Sequence, residues 1–280
     1  MAKFVYFAAS LLALTACAHT SKVRLEPGAR YVNMGSSFAA GAGTGPAPAG
    51  SPARCYQSSL NYAHLLAQRL DLTLADVSCG GATSAHILNA WNELPAQIEA
   101  VTSDTKLVTI TIGGNDIAFA GNLTAASCEQ GESIRVAGMV LPCPSRFAVA
   151  DDAYATLDRN MREIARQISV RAPAARVVFI QYVALVPETQ CAQSRFTEEE
   201  AAELRTAAAR LAEITAGAAA ETGASVLRMD ERARGHTPCD ADPWSTGLPR
   251  DYDGSLGAPW HPNRRGMAVI ADDLAELVAR

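Results

Sequence analysis

The chain has few aromatic residues, no excess of positive charge and no apolar run long enough to cross a membrane. Its 280 residues are 6% aromatic and carry a formal net charge of −5. That balance offers nucleic acid no basic surface, so we expect no nucleic-acid partner. The sequence also lacks Cys-x-x-Cys pairs, a His-Glu-x-x-His helix and a Gly-Lys-Ser/Thr loop. We therefore expect no metal and no cofactor.

Residues 1–17 have the layout of an export signal. Lys3 precedes the apolar run Phe4–Leu14, which is too short to span a bilayer. The small residues before Cys17 resemble a bacterial lipobox, which would make Cys17 the lipidated first residue of the mature chain. An ordinary signal peptide with a chance cysteine is the alternative. We predict a tether over residues 18–29 and an exported protein of the bacterial cell envelope, anchored to the membrane through Cys17 or else secreted.

Six cysteines remain when Cys17 is set aside. An even number of cysteines in an exported chain favours disulfide bonds. Their order along the chain does not by itself choose among the connectivities. The six are Cys55, Cys79, Cys128, Cys143, Cys191 and Cys239.

Short apolar runs predict the strands of a single domain over residues 30–280. The runs are Tyr31–Met34, Leu72–Val77, Leu107–Ile112, Val177–Val183 and Ser225–Met229. About half of the chain is hydrophobic, which is enough for one large core.

Helical patterns separate these runs. Apolar residues spaced three and four apart over Tyr154–Ile168 predict one helix. A capping box at Thr197 and Glu200 predicts a second, ending at Gly223, and a third covers Met267–Val278. Alternating strands and helices indicate an α/β fold with a parallel sheet covered on both faces.

Four motifs fall where the predicted strands end or the last helix begins. They are Gly35–Gly41 (Gly-Ser-Ser-Phe-Ala-Ala-Gly), Cys79–Thr83 (Cys-Gly-Gly-Ala-Thr), Gly113–Asp116 (Gly-Gly-Asn-Asp) and His261–Asn263 (His-Pro-Asn). Each alone is compatible with a plain turn. Active sites of parallel sheets lie beyond the carboxyl ends of the strands, so we expect the four motifs to converge. A serine on a strand-to-helix turn needs a base to become a nucleophile, and His261 is the predicted base.

In this order the motifs resemble the SGNH hydrolases, the GDSL-type esterases and lipases. The resemblance spans Tyr31–Arg280 and implies a three-layer α/β/α sandwich with a central parallel sheet. It implies Ser37 as nucleophile, His261 as base, and an oxyanion hole made by the backbone N–H groups of Ser37 and Gly81 and the side chain of Asn115.

The cysteine spacing is similar to the three-disulfide Streptomyces-type branch of these lipases. That resemblance implies pairing of nearest neighbours in sequence. The implied bonds are Cys55–Cys79, Cys128–Cys143 and Cys191–Cys239.

The chain departs from the family pattern at two positions. Ser36 stands where the family usually has Asp before the nucleophile. Ala258 stands where the family commonly has the Asp that supports the histidine. Some members of the Streptomyces-type branch use a main-chain carbonyl instead, so we predict that the carbonyl of Ala258 supports His261. Asp251 or Asp253 is the second candidate.

The predicted function is hydrolysis of small-molecule or lipid carboxylic esters through a Ser37 acyl-enzyme. Acyl transfer, a phospholipase acting on envelope lipids or glycans, and an inactive glycan- or lipid-binding lipoprotein are the alternatives. The aromatic content is modest, and the aromatic residues near the motifs that could line a pocket are chiefly Phe38, Trp91 and Trp260. We therefore predict a preference for short or medium acyl chains.

Overall fold

A parallel sheet forms the centre of the computed structural model, which describes residues 25–129, 131–136, 139–150 and 152–279. The strands are β1 (Arg30–Gly35), β2 (Thr73–Asp76), β3 (Thr105–Thr111), β4 (Ser133–Val136), β5 (Met139–Pro142), β6 (Arg176–Ile180) and β7 (Ser225–Leu227). Five of them form the sheet in the order β2-β1-β3-β6-β7, with every neighbouring pair parallel. Strands β1 and β3 are buried along almost their whole length, as expected for a sheet covered on both faces.

Helices cover both faces of this sheet. They are α1 (Ser37–Ala40), α2 (Tyr62–Leu70), α3 (Ser84–Leu88), α4 (Phe119–Ala126), α5 (Ala153–Arg171), α6 (Glu198–Thr222), α7 (Met229–Arg232) and α8 (Arg264–Ala279). On one face α2 packs against α8, and on the other α5 packs against α6 and α3. The predicted three-layer α/β/α architecture is confirmed.

The long helices follow the sequence patterns that predicted them. Leu157, Met161 and Ile164 of α5 are fully buried. At the start of α6, the Thr197 hydroxyl accepts a hydrogen bond from the backbone N–H of Glu200, while the Glu200 carboxylate accepts one from the backbone N–H of Thr197. Gly223 ends α6 in the left-handed conformation that glycine tolerates.

The stretch 118–146, for which the sequence patterns predicted no helix or strand, contains both. It holds α4 and the antiparallel β4–β5 hairpin, which is separate from the main sheet. The hairpin strands are only four residues each, too short for a clear alternating pattern.

The disulfide bonds join Cys55 to Cys79, Cys128 to Cys143 and Cys191 to Cys239. This is the pairing that the resemblance implied. Each bond closes a loop at the end of the sheet that carries the four motifs. Such cross-links stabilise the fold because they reduce the conformational entropy of the unfolded chain.

The predicted signal, Cys17 and most of the predicted tether lie outside the described residues. The last tether residues lead into β1, and the Gly28 N–H donates to the carbonyl of Asp71 at 2.6 Å. No helix within the described ranges is long and apolar enough to span a bilayer.

Candidate active site

Ser37 begins α1 at the carboxyl end of β1. The turn is tight, because the Ser36 N–H donates to the carbonyl of Thr111 in β3 at 3.0 Å. A Cβ at position 35 would lie 2.2 Å from that same oxygen, so only glycine fits there. The sheet itself therefore fixes the position of the serine.

His261 lies directly against Ser37. Its Nε2 is 2.7 Å from the Ser37 Oγ, although the two residues are 224 positions apart in sequence. Both residues keep part of their surface open to solvent. The serine hydroxyl is therefore in contact with an imidazole at a position that solvent can reach.

The carbonyl that supports His261 belongs to Pro259. It lies 2.7 Å from His261 Nδ1. A carbonyl only accepts, so Nδ1 holds the proton and Nε2 is free to accept the Ser37 hydroxyl proton. The prediction for Ala258 is therefore wrong by one residue, since the Ala258 carbonyl instead accepts from the hydroxyl of Thr246.

Neither candidate aspartate takes the place of that carbonyl. Both Asp251 and Asp253 are exposed, and among the described residues neither has a hydrogen bond to His261. Asp253 accepts from the hydroxyl and backbone N–H of Ser255, and these bonds lower the pKa of the Asp253 carboxyl.

Trp260 shapes the backbone between the carbonyl and the imidazole. It adopts a left-handed conformation with φ of 57°, which is uncommon for a residue other than glycine. Its buried ring stacks on Phe196 and its indole N–H donates to Ser127 Oγ at 2.9 Å. These contacts hold the left-handed turn that lets His261 reach back to Pro259.

Burial controls the protonation of His261. It lowers the pKa of the imidazole to about 4, and the hydrogen bond to the Pro259 carbonyl offsets only part of that shift. At neutral pH the ring is therefore neutral, the form that a general base requires.

Asn115 lies beside the Gly81 loop. Its side-chain Nδ2 donates to the carbonyl of Ala82 at 2.9 Å. Gly81 has φ of 81°, and a Cβ there would come within 3.3 Å of the Trp91 ring. The structure thus brings together the two loops that were predicted to supply oxyanion donors.

Asp116 links the Asn115 loop to the start of α3, which follows the Gly81 loop. The sequence analysis did not foresee this role. The Asp116 carboxylate accepts from the backbone N–H of Ser84 at 3.0 Å and from the Ser84 hydroxyl, which also accepts from Asn160. Burial raises the pKa of the Asp116 carboxyl, and the bonds from Ser84 oppose that shift.

Tyr182 was also missed, although it touches two of the four motifs. Its hydroxyl accepts from the Gly114 N–H at 2.9 Å and lies 3.3 Å from Ser36 Oγ. Its ring packs on Phe38, which in turn packs on His261. Burial raises the pKa of Tyr182 to about 12, so the hydroxyl keeps its proton. Tyr182 lies within the apolar run Val177–Val183 that predicted a strand, and its place in that run gave no signal of these contacts.

The other histidines in the described part of the chain have structural partners. His64 contacts Asn61, His86 stacks on Trp91, and His236 stacks on Trp244. Across the described residues, no group of three or more His, Cys, Asp and Glu side chains is arranged to hold a metal ion.

Comparison with known proteins finds one family and relatives that are named as lipases. Residues 34–269 match the GDSL-like lipase/acylhydrolase family. Lipase 2 of Streptomyces coelicolor is 31% identical over 94% of this chain and 90% of its own length. A lipase of Streptomyces rimosus is 30% identical over 85% of this chain and 82% of its own length.

Solved structures agree with these relatives. Phospholipase A1 from Streptomyces albidoflavus has a TM-score of 0.71 and 26% identity, covering 89% of this chain and 99% of its own. The extracellular lipase from Streptomyces rimosus has a TM-score of 0.69 and 26% identity, covering 88% of this chain and 98% of its own. The three disulfides fit the same branch.

Proposed function

Because the chain belongs to the GDSL-like lipase/acylhydrolase family, we propose that it hydrolyses carboxylic esters through an acyl-enzyme on Ser37. The supporting observation is the 2.7 Å contact between Ser37 Oγ and a neutral His261. A serine and a base in contact, with the base oriented by a third group, is the usual arrangement of an activated nucleophile.

In the first half-reaction, Ser37 Oγ attacks the ester carbonyl carbon while its proton passes to His261 Nε2. The tetrahedral intermediate collapses, and the same proton leaves with the alcohol. In the second half-reaction, water gives a proton to His261 and attacks the acyl-enzyme, which releases the acid and restores Ser37.

The negative charge that develops on the carbonyl oxygen needs donors. The backbone N–H groups of Ser37 and Gly81 and the side-chain amide of Asn115 are the proposed oxyanion hole. The support is the bond from Asn115 to Ala82, which sets the amide next to the Gly81 loop. Loss of one such donor commonly costs about 10²–10³ in kcat.

A fluorophosphonate probe tests the proposal directly, because it reacts only with an activated serine. We expect labelling of the full chain and none of Ser37→Ala. Ser36→Ala is the matched control, and it should label like the unaltered protein. Labelling of Ser37→Ala would reject Ser37 as the nucleophile. A lack of labelling of the unaltered protein would reject it as well.

A lipid ester is the proposed substrate class. The similarity to a phospholipase A1 and to lipases favours it over glycan esters. Hydrolysis of vesicle phosphatidylcholine, compared with hydrolysis of p-nitrophenyl butyrate, separates a phospholipase from a simple esterase.

Transfer of the acyl group to an added alcohol would identify the acyltransferase alternative. A failure to turn over any ester would favour the binding lipoprotein.

Export with a lipid anchor on Cys17 is the proposed localisation. Its support is the lipobox-like sequence together with three disulfides and extracellular relatives. Cys17→Ser should move the protein from the membrane fraction to the soluble fraction, because the acyl chains supply the membrane affinity. Unchanged fractionation would remove the anchor from the proposal.

A further inference from the structure

A buried carboxylate belongs to the strand that lies beside β1. Asp76 is the last residue of β2, and its side chain is only 6% exposed. Its only ion-pair contact within the described ranges is with His64 Nδ1, at 3.6 Å. Burial of a carboxylate is costly unless hydrogen bonds replace the lost water. The role of Asp76 therefore depends on the donors that surround it.

Uncharged donors surround both oxygens of the Asp76 carboxylate. Oδ1 accepts from the side-chain amide of Asn33 at 2.9 Å and from the hydroxyl of Ser78 at 2.6 Å. Oδ2 accepts from the side-chain amide of Asn61 at 2.7 Å. All three donor residues are fully buried. A donor that lost this carboxylate could therefore not turn to water instead.

The orientation of the two asparagine amides is fixed by donors to their oxygens. Asn33 Oδ1 accepts from the hydroxyl of Thr109 at 3.0 Å, and Asn61 Oδ1 accepts from the backbone N–H of His64 at 2.9 Å. Since each amide oxygen already has a donor, each Nδ2 faces Asp76. The carboxylate is therefore the acceptor that both amides require.

The same two amides hold the end of the short helix α1. Asn33 Nδ2 donates to the carbonyl of Ala39 at 3.4 Å, and Asn61 Nδ2 donates to the carbonyl of Ala40 at 3.3 Å. Because α1 has only four residues, its last carbonyls have no partners inside the helix. Each amide therefore joins α1 to the carboxylate.

Close packing reinforces the contact between Asn61 and α1. Gly41 ends the helix in the left-handed conformation, with φ of 70°. A Cβ at this position would lie 2.6 Å from the Cβ of Asn61. No empty space separates the two, so a shift of the Asn61 side chain is passed to the helix. Ser37 begins this helix and moves with it.

We propose that Asp76 is a positioning residue for Ser37, which holds α1 through the amides of Asn33 and Asn61. The proposal rests on the proposed function. Asp76 has no hydrogen bond to Ser37 or His261 among the described residues, so it acts only through α1. A small displacement of a reacting group can cost about a hundredfold in rate. Loss of Asp76 should therefore lower kcat and leave KM nearly unchanged.

The first test is Asp76→Asn, which keeps the size of the side chain but replaces one acceptor oxygen by a donor amide. One of the buried donors then faces another donor. For p-nitrophenyl butyrate, kcat should fall about tenfold to a hundredfold, while KM changes less than about twofold. Asp273→Asn is the matched control. It removes the charge of a partly buried carboxylate paired with Arg232 at 3.2 Å, and it should change kcat less than about twofold.

A second variant separates position from charge. Asn61→Ser keeps the Asp76 carboxylate and an oxygen that can cap α2, but it removes the amide that joins Asp76 to α1. It should lower kcat about tenfold with little change in KM.

Circular dichroism and urea unfolding check each variant, and Asn61→Ser decides the question if Asp76→Asn does not fold. An unchanged kcat in folded Asn61→Ser would overturn the proposal. A loss in Asp273→Asn equal to that in Asp76→Asn would overturn it as well.

A measurement without turnover separates this proposal from the proposed function. The NMR signal of His261 Nε2 senses its hydrogen bond to Ser37 Oγ. In Asp76→Asn the signal should move toward its position in Ser37→Ala, whereas in Asp273→Asn it should stay. An unmoved signal in Asp76→Asn would reject the positioning role even if kcat falls. If the unaltered protein cleaves no ester, the proposed function fails, and the signal still decides whether Asp76 positions Ser37.

Discussion

Ser37 lies at the end of a central strand, whereas His261 lies at the end of a long segment without regular structure. The serine turn is bonded to β3 through Thr111 and closes onto a short helix. Residues 233–263 are all described and contain no helix or strand. Of the two proposed catalytic residues, one is thus held by the sheet and the other by contacts between loops.

Several separate contacts hold the histidine segment. Thr246 binds the carbonyl of His261 through its N–H at 2.9 Å, and the Ala258 N–H donates to Ala42, in the loop just after α1, at 3.1 Å. The Cys191–Cys239 bond fastens the beginning of the segment. The serine side of the site therefore depends on strand packing, while the histidine side depends on loop geometry, which single substitutions can shift.

The largest expected effect comes from removing either partner. Ser37→Ala and His261→Ala should each lower kcat for p-nitrophenyl butyrate by at least about 10⁴, and the double variant should lose no more, because the pair acts as one unit. Ser36→Ala is the control. It removes only the 3.3 Å contact with Tyr182 and should cost less than about tenfold. Additive losses would show that the two residues act independently.

A smaller effect should follow from loosening the link between the serine turn and the Asn115 loop. Tyr182→Phe leaves the buried Gly114 N–H without its acceptor, at a cost of about 1–3 kcal/mol. We expect kcat to fall about tenfold to a hundredfold with little change in KM, because the Asn115 loop loses its alignment.

Tyr31→Phe is the matched control for this prediction. It removes a buried hydroxyl bonded to Thr109 at 2.7 Å, away from the motifs. Urea unfolding should show a comparable stability loss in both variants, while kcat falls only in Tyr182→Phe. Equal kcat in the two would make Tyr182 a purely structural residue.

A still smaller effect is expected for the aspartates that precede the histidine. Asp251→Asn and Asp253→Asn should each change kcat by less than about tenfold, against about 10⁴ when a true triad aspartate is amidated. Pro259 already supplies the acceptor for Nδ1. A collapse in either variant would identify an acid that approaches His261 during turnover.

The smallest expected effect concerns pH. The neutral fraction of His261 stays high until pH falls through its lowered pKa of about 4. Between pH 7 and 5, kcat/KM should therefore change less than about twofold, whereas a histidine with an ordinary pKa would lose about twenty-fivefold. Circular dichroism over the same range controls for unfolding. An acid limb near pH 6.5 would show that burial does not control the imidazole.

Much of the fold could be predicted because its signals are local. The spacing in α5, the capping box of α6 and the buried strands β1 and β3 depend on neighbours in sequence. The positions of Ser37 and Asn115 follow from those strands. The roles of Pro259 and Tyr182 could not be predicted in this way, because they depend on a left-handed tryptophan and on contacts between distant loops.

The carbonyl that supports His261 has a genetic consequence. A triad aspartate can be lost by changing one codon, but the Pro259 oxygen belongs to the main chain and survives every substitution of its side chain. Selection on this part of the site should therefore act on the residues that set the backbone path. Trp260 is the foremost of these, since its ring, and not a carboxylate, determines where the oxygen points.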